Sequence, residues 1–76
     1  MKELLTVIAK NLVDNPGAVV VTEIPKERNT VLELRVAPED MGRVIGKQGR
    51  IAKAIRSVMK AAAIHKDEYI IVEIVN

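Results

Sequence analysis

Two glycines three residues apart, Gly46 and Gly49, stand between two stretches of helical apolar spacing, and they govern how the second half of the chain can fold. Glycine inside a helix costs roughly 1 kcal/mol against alanine, so a pair at this spacing marks a turn between two helices. Upstream, Pro38 suits a first helical turn, and Glu39 and Asp40 follow where the positive end of the helix dipole favours acids. A short helix is expected from Pro38 to about Ile45. Downstream, Ile51, Ile55, Val58, Met59 and Ala62 share one helical face while Arg50, Lys53, Arg56 and Lys60 share the other. That pattern predicts a second helix from Arg50 to about Ile64 with a cationic outer stripe.

The rest of the chain supplies one more helix and three strands. Leu4, Leu5, Ile8 and Leu12 repeat at helical spacing within residues 3 to 14, and Asp14-Asn15-Pro16-Gly17 ends the pattern. Ala18 to Ile24 is rich in β-branched residues. Thr30 to Ala37 alternates, with Leu32, Leu34 and Val36 opposite Val31, Glu33 and Arg35. The polar run Pro25 to Asn29 makes these two strands a hairpin. After the turn His65 to Glu68, Tyr69 to Val75 places Ile70, Val72 and Ile74 on one side. The predicted order is α-β-β-α-α-β, an α+β fold of two layers: a three-stranded mixed sheet with three helices on one face. The strands flanking the helix pair should be parallel and adjacent, the first strand antiparallel to the central one.

Size and composition limit the chemistry. A chain of 76 residues is expected to form one domain, residues 1–76, burying roughly 60% of its unfolded surface. With no cysteine and a single histidine, His65, neither a disulfide nor a metal site is expected, and no cofactor. The early Glu3 and the interruptions at Lys10, Asn11 and Asp14 do not fit a signal peptide, and no apolar run approaches a membrane span. A soluble, cytoplasmic protein is expected. The formal charge of +2 conceals an uneven distribution: residues 42–60 hold six basic residues and no acid, leaving 6 basic against 10 acidic elsewhere, a net of −4.

Catalysis finds no support in this pattern. The acids are scattered over helix starts, strand faces and turns, Ser57 lies within the basic helix with the only histidine at its far end, and the glycine turn lacks the P-loop spacing with its following Ser or Thr. Phosphate binding does find support. Unpaired N–H groups at the start of a helix, together with its dipole, favour an anion in the preceding turn, and glycine lets a sugar-phosphate backbone approach closely. Glycine also tolerates positive φ, which tight turns often require. A bare Gly-x-x-Gly arises by chance at about 0.5% per position at average glycine usage of about 7%. Its setting between two helices and among cations gives it weight.

On these residues, Gly42-Arg43-Val44-Ile45-Gly46-Lys47-Gln48-Gly49-Arg50, the chain resembles a KH domain, whose G-x-x-G loop clamps a short single-stranded RNA backbone. The element order resembles the bacterial type II KH fold, and the free-standing size is similar to the KhpA (YlqC) family of small RNA-binding proteins. The resemblance implies a backbone clamp at Gly46, Lys47, Gln48 and Gly49, with Ile45, Arg43, Arg50 and Lys53 beside it. It implies further groove walls from the flanking helices, the last strand from Tyr69 and the His65 to Glu68 turn. With Tyr69 the sole aromatic residue, base stacking of the RRM or OB type is nearly excluded, so an aliphatic groove with loose base selectivity is expected. Lys47 and Gln48 are expected to point outward.

The implied partner is single-stranded RNA, with single-stranded DNA left open because nothing obviously reads a 2′-hydroxyl. The family resemblance further implies an RNA chaperone or post-transcriptional regulator linked to cell elongation, shape and division, a homodimer, and a second KH protein of the KhpB (Jag) type as partner. The competing reading is a protein-interaction module, with Val58, Ala61, Ala62 and Ile64 left exposed to pair with another copy. Simpler roles compete at several positions. Arg56 and Lys60 read as a solvated face, His65 as a surface turn residue, Met41 and Met59 as core filler, and Gly42 equally as a packing or a contact residue.

Overall fold

Alternating apolar residues give three strands, β1 (Val20–Pro25), β2 (Thr30–Arg35) and β3 (Ile70–Val75). The structure, a computed structural model, describes residues 1–75, and the side chain of Lys47 lies outside that description. β2 is central in the order β1-β2-β3. β1 runs antiparallel to it with Val21 opposite Leu34, and β3 runs parallel with Val72 opposite Leu32. The hairpin between β1 and β2 closes where the Lys26 N–H donates to the Asn29 carbonyl at 2.7 Å. Parallel neighbours need a long crossover, and the helical span α2 (Pro38–His65) provides it.

One sheet face is covered and the other is open. Val21, Leu32, Leu34 and Val72 are buried against α1 (Lys2–Lys10), which contributes Leu5 and Ala9, and against α2, which contributes Val44, Ala52, Ile55 and Met59. Complete burial is worth about 1.5–3 kcal/mol for each large aliphatic side chain, so this cluster is the main source of stability. Alternation sends Val31, Glu33, Arg35, Ile71 and Glu73 to the opposite face, as the pattern predicts. Val31 is nevertheless buried there, between its cross-strand neighbours Ile24 and Ile71.

Several boundaries and faces differ from the sequence reading. α1 ends at Lys10 rather than near Asp14, and a short 3-10 turn, Pro16–Ala18, precedes β1. Its buried residues are Leu5 and Ala9, whereas Leu4 and Leu12 are exposed. β1 begins at Val20 rather than Ala18, and β2 ends at Arg35 rather than Ala37. On the second half of α2 the buried stripe is Ala52, Ile55, Met59 and Ala63. Val58, placed on that face by spacing alone, is 48% exposed, and Ala62 is only half-buried. The stripe follows the small residues Ala52 and Ala63 because they allow α2 to lie close to the sheet.

α2 is one helical span with a break in the middle. Gln48 and Gly49 are both left-handed, with φ of 62° and 71°. A right-handed helix cannot continue through such residues, so the span consists of two limbs, and the expected helix pair is present on either side of the break. Met59 fills the core and Met41 packs half-buried against it, as expected of their type.

Candidate nucleic-acid interface

The first limb of α2 is anchored at its start. Asp40 is 1% exposed, and its two carboxylate oxygens accept the backbone N–H groups of Asp14 and Asn15, each at 3.0 Å. Charge-assisted bonds of this kind are about twice as strong as neutral ones. Asp40 is therefore more than a complement to the helix dipole: it holds the chain leaving α1 against the start of α2. One turn on, Arg43 donates from Nη1 to Asp14 Oδ1 at 3.0 Å. Both side chains are well exposed, so this pair contributes little to stability, but it fixes where the Arg43 charge sits. Sequence reasoning leaves Arg43 free for phosphate and misses this internal partner.

Among the described residues the turn itself has no such internal partners. A Cβ built at Gly42, Gly46 or Gly49 meets no atom within 4 Å. At Gly49 the positive φ explains the glycine. Gly46 has no positive φ; the second left-handed residue of the turn is Gln48, at a cost of roughly 1–2 kcal/mol for a side chain in that region. Strain of this kind tends to gather at ligand clamps. Gly42 and Gly46 lie one turn apart on the first limb, where neither packing nor backbone conformation calls for glycine. Close packing is thereby removed as the reason for Gly42. Both glycines line an open depression of about 560 Å³ together with Leu12, Arg43, Arg50 and Ile51.

Around the turn the predicted site residues fall together. Ile45 is 51% exposed, and Gln48, Arg50 and Lys53 are exposed. Lys47 lies in the turn by sequence, with its side chain outside the described residues. Along the second limb a groove of about 360 Å³ opens between α2 and β3, with Met59, Ala63, Ile70 and Val72 among its lining and Arg56 and Lys60 at its sides. Arg56 also reaches across, its Nε donating to the Val72 carbonyl at 3.4 Å. Sequence alone leaves these two cations between a ligand role and an ordinary solvated face; their position beside an aliphatic groove is visible only once β3 is placed. Leu12 is likewise missed, because its helical spacing assigns it to the core. The periodicity of Arg50, Lys53, Arg56 and Lys60 is the available signal for the two cations. His65 is an exposed residue at the end of α2, as expected.

Two helical limbs meeting at a G-x-x-G turn and packed on a sheet with a parallel β2-β3 pair define a type II KH fold. Comparison with known proteins agrees. The family described as KhpA/KhpB, KH domain, matches residues 2–74. The RNA-binding protein KhpA of Clostridium acetobutylicum is 61% identical over 75 residues, covering 99% of this chain and all of the relative. That of Caldanaerobacter subterraneus is 60% identical over 75 residues, with the same coverage. The KhpA of Aquifex aeolicus is 46% identical over 74 residues, 97% of this chain and 94% of the relative. No solved structure gives a significant match. The chain belongs to the KhpA/KhpB KH-domain family. These relatives carry the name of an RNA-binding protein rather than of an enzyme, in agreement with the expectation of a non-catalytic chain. Among the described residues no helix is long and apolar enough to cross a membrane.

Proposed function

We propose that this chain is a single KH domain, residues 1–76, that holds about four nucleotides of single-stranded RNA. Phosphates lie over Gly46, Lys47, Gln48 and Gly49, and bases lie against the aliphatic groove between α2 and β3. Arg43, Arg50 and Lys53 supply positive potential, and Ile45 supplies apolar contact beside the turn. The observation that carries this reading is the pair of glycines at 42 and 46, which face open space and answer no internal need. The names of the relatives point the same way. Replacing Lys47 and Gln48 with Asp is expected to lower RNA affinity about a hundredfold while the urea midpoint stays unchanged. Wild-type affinity in that double variant would remove the clamp. Single-stranded DNA in the same titration tests whether the 2′-hydroxyl matters.

A second reading has its own support. Val58 and Ile64, at 48% and 67% exposure, leave an apolar strip on the late part of α2. In this reading the chain homodimerises, or docks a second KH protein of the KhpB (Jag) type, through that strip. The two readings are compatible, and light scattering with and without RNA separates their contributions. By family resemblance, the cellular setting is cytoplasmic RNA chaperoning or post-transcriptional regulation linked to cell elongation, shape and division.

A further inference from the structure

The groove between α2 and β3 does not end at the last helical turn. Tyr69 and Glu68 line it together with Lys60 and Ile64, and they also line a second depression of about 310 Å³. There the β1-β2 hairpin contributes Lys26, Glu27, Arg28 and Asn29. Tyr69 and Glu68 thus form the wall common to both. The Tyr69 backbone is fixed, since the Thr30 N–H donates to its carbonyl at 3.0 Å, and the Tyr69 side chain is 68% exposed. The one aromatic residue of the chain therefore stands at the junction of two depressions.

That position suits a nucleobase. Stacking on an aromatic side chain is worth about five- to a hundredfold in affinity per base, and every base offers a π face. Beyond the ring, Lys26 and Arg28 provide cations, while Glu27 and Glu68 in the same lining offset much of their attraction for phosphate. Stacking must then dominate over charge at this end.

We propose that the RNA track extends past the clamped four nucleotides, with the next nucleotide stacking on Tyr69 and its phosphate directed toward Lys26 and Arg28 of the hairpin. This rests on the clamp reading above. The test uses labelled single-stranded RNAs of four and eight nucleotides, titrated into the wild type, Tyr69→Leu, and the double variant Lys26→Ala with Arg28→Ala. Because a longer strand offers more registers, each variant is compared with the wild type within one length. Tyr69→Leu is expected to weaken the eight-nucleotide strand about tenfold more than it weakens the four-nucleotide strand, which meets Tyr69 only as one wall of the groove. The double variant should lower the salt slope for the longer strand alone, by about 0.7 for each phosphate that the hairpin no longer neutralises. Equal effects of Tyr69→Leu on both lengths, or none on either, would overturn the extension even with the clamp intact. In that case Lys47→Asp with Gln48→Asp still lowers the affinity for both strands about a hundredfold. If neither strand binds the wild type, the clamp fails and the extension fails with it.

Discussion

The two ends of the first limb of α2 are built on opposite terms. At its start, Asp40 is buried and both of its oxygens are engaged by backbone N–H groups, so the identity of the residue is explained inside the protein. At its end, Gly46 touches nothing that a methyl group would disturb, and its backbone does not need glycine. Fewer than two turns of helix separate a position with every partner present from one with none. In the proposed reading the empty surface at Gly46 is where the ligand approaches, and the limb that carries it is hydrogen-bonded to the chain after α1 at its other end.

Removing the anchor is expected to give the largest effect. Asp40→Ala leaves two N–H groups without their acceptor and should cost about 3 kcal/mol, read as a lower urea midpoint at unchanged slope. RNA affinity measured on the folded fraction should change little. A variant of wild-type stability would mean that water satisfies the Asp14 and Asn15 N–H groups equally well, and the anchor would lose its meaning. Asp14→Ala is a smaller perturbation that removes the exposed partner of Arg43. Its cost in stability should stay below about 1 kcal/mol. Affinity for RNA should hold or rise, because the Arg43 guanidinium is released toward the turn. A clear loss of affinity would show instead that Asp14 positions Arg43 for its ligand.

The same contrast explains what could be read from the sequence. Strand alternation has a period of two, so Leu32, Leu34, Val72 and the parallel pairing of β2 with β3 followed directly from residue order. The Gly46 to Gly49 turn was equally legible, because glycine at that spacing between two helical patterns has few other uses. The Asp40 corner was not, since its partners lie 25 and 26 residues away in the chain. Val58 and Leu12 were misplaced because a hydrophobic stripe wider than the contact it makes does not reveal which edge stays uncovered. The left-handed Gln48 had no signal at all, because glutamine is not a residue that favours positive φ.

The claim that Gly46 serves an approaching ligand and not the fold is tested most directly by Gly46→Ala, with urea unfolding and RNA titration on the same preparation. The account predicts stability equal to the wild type or higher by up to about 1 kcal/mol, since alanine is the better helix former. It predicts at the same time an affinity lowered about tenfold or more, as the added methyl group occupies the space where the sugar-phosphate backbone would come closest. Unchanged RNA affinity would contradict it, and so would a loss of stability.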